Sequence, residues 1–217
     1  MAIDDPGAFI RAHTQLLPVP HAPEIRLHVA SEITPIWRMT EEALGAVGLN
    51  PPFWAFAWAG GQAIARYLLD NPQQVAGRQV LDLASGSGLC AIAAMMAGAA
   101  TALAVDIDPL CADAIALNAA INGVRVSVLI EDLLDRPAPR ADLIIAGDVC
   151  YERPMAERIL SWLSAAREAG ARVLIGDPGR TYFPRRGLDL LADYQVRTTR
   201  ELEDADIKRT RVWTISG

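Results

Sequence analysis

Cysteine is scarce in this chain of 217 residues: Cys90, Cys111 and Cys150 are isolated, odd in number and without CxxC spacing. That excludes a disulfide framework and a structural zinc site, and it fits a reducing compartment. The three histidines, His13, His21 and His28, fall in the N-terminal third outside any metal-ligand pattern, so no metal role is expected. Positive charge is in deficit as well. Twenty basic side chains face 26 acidic ones, a net charge of -6, which argues against general affinity for a nucleic-acid backbone. No leader is visible at Met1-Ala2-Ile3-Asp4-Asp5, and the longest apolar stretch, Leu89 to Ala100, is too short to span a bilayer. The expectation is a soluble, cytoplasmic, monomeric protein with no membrane contact.

What the chain does have is apolar mass in alternating segments. Hydrophobic residues make up 52% and charged residues 21%, a globular balance rather than a disordered one. The length suits one large domain over residues 51–217 with an N-terminal extension over 1–50 packed on it. In the extension, Asp5 caps a short helix with Pro6 in its first turn, and Pro18, Pro20 and Pro23 keep the chain extended. Glu24 to Val29 is a short strand or irregular, and Thr34-Pro35 opens a helix over Ile36 to Val47.

After a helix at Ala63 to Leu69, strands are expected at Gln79–Leu83, Thr101–Val105, Val124–Ile130, Ala141–Ala146 and Arg172–Ile175. Helices at Leu89–Met96, Pro109–Asn122 and Met155–Arg167 alternate with them. Leu188 to Ala192 reads as a further helical segment, and Gln195–Glu201 with Arg209–Ile215 as an antiparallel pair. The fold class is therefore α/β, a doubly wound and mostly parallel seven-stranded sheet closed by a C-terminal antiparallel hairpin.

The stretch Val80-Leu81-Asp82-Leu83-Ala84-Ser85-Gly86-Ser87-Gly88 organises the rest: a strand, a tight glycine turn and a helix start. Acids recur where the strands exit, at Asp82, Asp106, Glu131 or Asp132, and Asp148, all on one edge of the sheet. Asp106 lies 18 residues beyond Gly88, near the spacing at which an acid accepts from ribose hydroxyls; helix capping is the other role open to it. Glu131 and Asp132 suit either an adenine amino group or a cap. A dinucleotide turn would leave its helix N-terminus free for pyrophosphate, but a carboxylate such as Asp82 beside the turn repels that group. The same carboxylate suits the cationic end of S-adenosylmethionine, and the hairpin ending also leans away from an NAD-dependent dehydrogenase.

Trp54, Phe56 and Trp58 alternate before Gly60-Gly61-Gln62. Phe56 reads as a cover for the sheet edge, while Trp54 and Trp58 face the other way on an extended backbone and either wall a cleft or pack. Gln62 is placed to hydrogen-bond a carboxylate or the main chain. Arg180, with Arg185 and Arg186, either presents charge to an acidic protein partner or is simply solvated.

Several segments together resemble the electron transfer flavoprotein β-subunit lysine methyltransferase family, within the class I, seven-strand S-adenosylmethionine-dependent methyltransferases. They are Pro52 to Gln62, Ala65 to Asp70, the Asp82-to-Gly88 loop, Asp106-Ile107-Asp108-Pro109, Asp148-Val149-Cys150-Tyr151-Glu152 and Gly176-Asp177-Pro178-Gly179-Arg180. The likeness covers about residues 22 to 216. It implies that Asp82 and Gly86 hold the methionine end of the cofactor, with Ala84 and Gly88 in the same loop. It puts Asp106 at the ribose, Asp132 by the adenine and Trp58 at the cofactor edge, with Ile107 and Asp148 also among the cofactor-binding residues. Asp148, Tyr151 and Glu152 are implied to line the lysine channel and orient the amine.

The implied substrates are lysines of the electron transfer flavoprotein β subunit, with a ribosomal stalk protein as a further acceptor and no nucleic acid. A small-molecule amine N-methyltransferase on the same fold is the alternative. Two positions depart from the family pattern: Ala59 where proline is usual, expected to loosen the turn after Trp58, and Cys150 where phenylalanine is usual, expected to reshape the wall between cofactor and substrate.

Overall fold

A computed structural model describes residues 3–31, 34, 36, 51–198 and 205–216. Apart from Ile36 itself, the expected helix over Ile36 to Val47 lies outside the described residues. Among them, no helix is long and apolar enough to cross a membrane.

The chain opens with α1 (Pro6–His13), capped by the Asp5 carboxylate, which accepts from the backbone N–H of Ala8 at 2.8 Å. A hairpin follows, β1 (Gln15–Val19) paired antiparallel with β2 (Ala22–Val29), so the segment around Glu24 is a strand. Pro18 and Pro23 fit because this two-stranded sheet is all edge and leaves non-bonded positions for residues without an N–H.

A 3-10 turn at Phe53–Ala55 leads into α2 (Ala59–Asp70). Then come β3 (Gln79–Leu83), α3 (Leu89–Met96), β4 (Thr101–Asp106), α4 (Leu110–Ile121), β5 (Ser127–Ile130), β6 (Leu143–Gly147), α5 (Arg153–Glu168) and β7 (Arg172–Asp177). The chain closes with β8 (Leu188–Arg197) and β9 (Ile207–Ile215). The seven-stranded sheet has the order β5-β4-β3-β6-β7-β9-β8, with β9 antiparallel to both its neighbours and the other pairs parallel.

The central strands read as unbroken apolar runs because both faces are covered. Leu143, Ile145 and Leu174 face one core with Ile64 of α2, Ile92 of α3 and Ile115 of α4. Ile144, Ala146, Val173 and Ile175 face the other core, with Ile159 and Leu163 of α5.

One element differs from expectation. Leu188 to Ala192 is not helical but the first half of β8, paired with β9 from Leu188↔Ile215 onward. Two adjacent leucines, Leu190 and Leu191, interrupt the period of two and imitate a helical stripe. The register shift between Leu190 and Ala192 absorbs the extra residue as a bulge.

The N-terminal hairpin is tied to the main sheet's helices through Asn118 on α4. Its side chain is fully buried, accepts from the backbone N–H of His28 at 2.8 Å, and donates to the Ser87 carbonyl at 2.8 Å. One amide thus joins hairpin, helix and glycine loop. A lone amide in the apolar second half of Ala-rich α4 was the sequence signal for it.

Candidate active site

The sheet order reverses at β3, which has β4 on one side and β6 on the other, and ligands in open α/β sheets bind beyond the strand ends at such a point. A cavity of about 490 Å³ opens there. Its floor carries Asp82, Ala84, Ser85 and Gly86 after β3, Asp106, Ile107 and Asp108 after β4, and Gly147, Asp148 and Val149 after β6.

The glycine loop is held from within. Gly88 has φ +82°, and a Cβ there would meet Ile115 of α4 at 3.1 Å, so only glycine fits. Asp82 is 2% exposed and accepts from Ser85 Oγ at 2.6 Å and from the N–H of Ala91, in the first turn of α3, at 3.0 Å. Burial pushes its carboxyl up to about 7, against the pull of those two donors.

An acid whose folded value is raised holds a proton that the unfolded chain, titrating near 3.9, has already released. Stability is therefore greatest below that range and falls as pH rises through about 7. Asp82→Asn is expected to raise the unfolding midpoint by about 5 °C at alkaline pH. The difference should vanish in acid, where both side chains are neutral; scanning calorimetry at the two pH extremes checks it.

Asp106 accepts from three backbone N–H groups, those of Gly86 (2.8 Å), Ile107 (2.8 Å) and Asp108 (3.1 Å). A carboxylate has more acceptor sites than these three donors use, so some are spare toward the cavity. Asp108 turns back to accept from the N–H of Leu110 at 2.9 Å, at the start of α4.

Asp148 is the most constrained of the acids. It follows the last residue of β6 at φ +60°, and Ala84 after β3 has φ +54°. Left-handed backbone at a non-glycine residue costs on the order of 1–3 kcal/mol, and both instances border the cavity. The side chain of Asp148 is 8% exposed and both oxygens are engaged. Oδ2 accepts from the N–H of Gly61 in the first turn of α2 at 2.9 Å, and Oδ1 pairs with Arg180 Nη2 at 2.9 Å.

That first contact requires α2 to reach the sheet. A Cβ on Gly60 would lie 2.2 Å from the Gly176 carbonyl oxygen, and one on Gly176 would lie 2.3 Å from the Gly60 carbonyl oxygen. Backbone meets backbone, which only a glycine pair permits.

An aromatic wall closes the mouth. Phe53 lies 5.9 Å from Trp58 and 5.7 Å from Tyr151 between ring centroids, and Phe56 lies 5.6 Å from Trp58. The Trp58 indole N–H donates to the Phe53 carbonyl at 2.9 Å, and the Arg180 guanidinium stands 5.8 Å over the Trp58 ring. The Tyr151 hydroxyl donates to Met155 Sδ at 3.7 Å, and burial raises its pKa. The thiols of Cys90 and Cys111 also border the cavity, and burial holds both well above their ordinary value.

Comparisons with known proteins point to one class of enzyme. Residues 62–150 match the family model described as ribosomal protein L11 methyltransferase (PrmA). A Xenopus laevis protein named electron transfer flavoprotein beta subunit lysine methyltransferase is 40% identical over 215 residues, spanning 96% of this chain and 86% of its own. The chain belongs to that lysine methyltransferase family. It is an enzyme of the methyltransferase class.

Solved structures support the fold alone. A ribosomal protein L11 methylase from Lactobacillus delbrueckii subsp. bulgaricus matches with TM-score 0.52 and 20% identity, covering 75% of this chain and 81% of that one. Magnesium protoporphyrin IX methyltransferase from Synechocystis, whose structure contains S-adenosylmethionine, matches with TM-score 0.52 and 16% identity over 72% of this chain and 79% of that one.

The cavity gathers Trp58, Asp82, Ala84, Gly86, Asp106, Ile107, Asp148 and Tyr151. Gly88, Asp132 and Glu152 do not border it. Gly88 acts one step back, against Ile115. Asp132 accepts from the Leu134 N–H at 2.9 Å and from Arg158 at 3.2 Å, so its carboxylate serves an exposed turn. Glu131 is likewise paired with Arg136. Glu152 is exposed at the N-terminus of α5.

Several local expectations change. Trp54, Phe56 and Trp58 do not alternate across an extended strand, because the 3-10 turn at Phe53–Ala55 rotates them and all three border the cavity. Ala59 begins α2 without loosening it: Gln62 donates from its N–H to the Trp58 carbonyl at 2.9 Å and from Nε2 to the Ala57 carbonyl at 2.7 Å. Cys150 is fully buried in the core beneath the sheet and does not border the cavity, and its thiol is pushed up to about 12 by burial first and by Asp177. Arg180 turns inward to Asp148 rather than outward with Arg185 and Arg186, which are exposed.

Proposed function

We propose that this protein transfers methyl groups from S-adenosylmethionine to lysine ε-amines of the electron transfer flavoprotein β subunit, with a ribosomal stalk protein as a second acceptor. The observation that carries the reading is Asp148, a buried carboxylate anchored at both oxygens beside an aromatic mouth.

The residues present fit the cofactor. Asp106 keeps acceptor capacity suited to ribose hydroxyls, Asp82 and the Gly86 turn suit a cationic methionine end, and exposed Ile107 offers an apolar edge for adenine. The cavity volume lies in the range of small-molecule sites. When bound, S-adenosylmethionine supplies a sulfonium methyl and leaves as S-adenosylhomocysteine.

The protein's own residues handle the acceptor. Phe53, Trp58 and Tyr151 give the lysine stem an apolar sleeve that excludes water and draws an ammonium by its ring faces. Asp148 accepts a hydrogen bond from the amine N–H and so aims the lone pair. A small-molecule amine acceptor is not favoured, because the relative matching almost the full chain is named for a lysine of a protein.

The test is transfer of labelled methyl to purified electron transfer flavoprotein and ribosomal stalk protein, followed by mass spectrometry of the labelled peptides. Lysine occurs once in this enzyme, at Lys208, so self-methylation is confined to one recognisable peptide. Label on lysine of the flavoprotein β subunit is the expected result. Label only on nucleic acid or in a low-mass fraction would overturn the assignment.

A further inference from the structure

Gln62 is a polar side chain in an apolar place. It closes the first turn of α2, is 2% exposed and does not border the cavity. A buried amide is stable only where its donor and its acceptor are both used. Here both are. Oε1 accepts at 3.1 Å from the backbone N–H of His21, in the turn of the N-terminal hairpin. Nε2 donates to the Ala57 carbonyl at 2.7 Å. A backbone N–H can only donate and a carbonyl can only accept, so these partners fix which way the amide faces.

The backbone of the same residue makes a third bond. The Gln62 N–H donates to the Trp58 carbonyl at 2.9 Å. Gln62 therefore holds two consecutive carbonyls, those of Ala57 and Trp58. They belong to the planar peptide groups on either side of the Trp58 Cα, and fixing both planes fixes the direction of its Cβ.

Trp58 stands just before α2 with φ -63° and ψ 152°, and its side chain makes no capping bond to the helix. The indole N–H donates instead to the Phe53 carbonyl at 2.9 Å, and the ring borders the cavity beside Phe53. Root and tip of this side chain are thus held separately. Gln62 holds the root.

We propose that Gln62 is a positioning residue of the acceptor site: by holding both peptide planes around Trp58 it aims that ring along the lysine sleeve, with the hairpin turn at His21 as its own anchor. The inference rests on the lysine methyltransferase reading above. It gives the N-terminal hairpin a part in acceptor binding, although none of residues 15–29 borders the cavity. The supports of the cofactor loop are different ones. Asp82 bonds Ser85, Asp106 bonds Gly86 and Asn118 bonds Ser87, and none of these contacts includes Gln62.

The test begins with Gln62→Met, which keeps the length of the side chain and loses both of its hydrogen bonds. kcat/KM for the protein substrate should fall on the order of 10- to 100-fold, the scale of a misplaced positioning group. Kd for S-adenosylhomocysteine, read by titration calorimetry, should change by less than about threefold. An equal loss of cofactor affinity, or an unchanged kcat/KM, would overturn the proposal. Gln62→Asn, too short to span both partners, is the second variant and should show the same pattern.

A double-mutant cycle with Trp58→Ala supplies the readout that a merely structural role would not move. If Gln62 works by aiming the Trp58 ring, Gln62→Met should cost less than about threefold in kcat/KM once that ring is gone. Fully additive losses would mean that Gln62 acts elsewhere, for instance through the neighbouring Gly61 N–H on Asp148, and would overturn the proposal. Failure of the lysine reading itself is distinguishable. The wild-type enzyme would then label no protein lysine, while hydrogen exchange over residues 57–62 would still be faster in Gln62→Met than in the wild type.

Discussion

Asp148→Asn is expected to lower kcat for lysine methylation by about 10²- to 10³-fold, the scale of losing one preorganised polar group at a reacting centre. Asparagine has nearly the volume of aspartate and tolerates the left-handed backbone at φ +60°, so the fold should survive. The amide keeps one acceptor oxygen but presents an NH₂ where the second oxygen stood. Turned one way it opposes the Arg180 guanidinium, and turned the other it opposes the Gly61 N–H.

The cofactor loop, held by Asp82, Asp106 and Asn118, has separate supports. Cofactor Kd should therefore change by less than about threefold, a small fraction of the loss in turnover. Titration calorimetry with S-adenosylhomocysteine beside single-turnover kinetics checks the split. A parallel loss of cofactor binding would place Asp148 among the groups that hold the cofactor rather than the amine.

The largest expected loss of stability is at Gly60. A methyl group there would sit 2.2 Å from the Gly176 carbonyl oxygen and 2.6 Å from Asp148 Oδ2. The first contact is backbone and has no rotamer to escape into, so α2 must lift from β7. Gly60→Ala should destabilise the protein by about 3–5 kcal/mol, despite the helix propensity alanine adds. That corresponds to a fall in the unfolding midpoint on the order of 10 °C.

The neighbouring glycine is the control. A Cβ on Gly61 would meet Leu89 at 3.6 Å and Cys90 at 3.8 Å, ordinary van der Waals contact. Gly61→Ala should leave stability unchanged or raise it by about 0.5–1 kcal/mol. Thermal unfolding of the two variants side by side separates close backbone approach from a general dislike of substitution in α2. Lifting α2 also pulls the Gly61 N–H from Asp148, so Gly60→Ala should lose activity as well as stability.

The alternation of apolar runs with helical stripes was enough to place β3, α3 and the order of the βα units, because strands buried on both faces have no other way to read. It was also enough for the acids at the strand exits, since parallel strands must end on one edge. Asp82, Asp106 and Asp148 all border the cavity for that reason. Asp132 exits the same edge but turns to Arg158, a choice made by a side-chain contact distant in sequence. The doubled leucines of β8 misled because a bulge carries no local signal of its own and is set by the partner strand.

By itself the sequence determined a seven-stranded α/β sheet, a glycine loop preceded by an acid, and a row of carboxylates on one edge. Those follow from local rules: periodicity, turn chemistry and the handedness of parallel crossovers. Only the tertiary structure decided that Gly60 and Gly176 touch, that the tip of α2 anchors Asp148, and that Arg180 faces inward to meet it. Each of those joins residues at least 32 positions apart through a contact a few ångströms long. A pairing of that kind leaves no periodicity behind, because it depends on how whole elements dock.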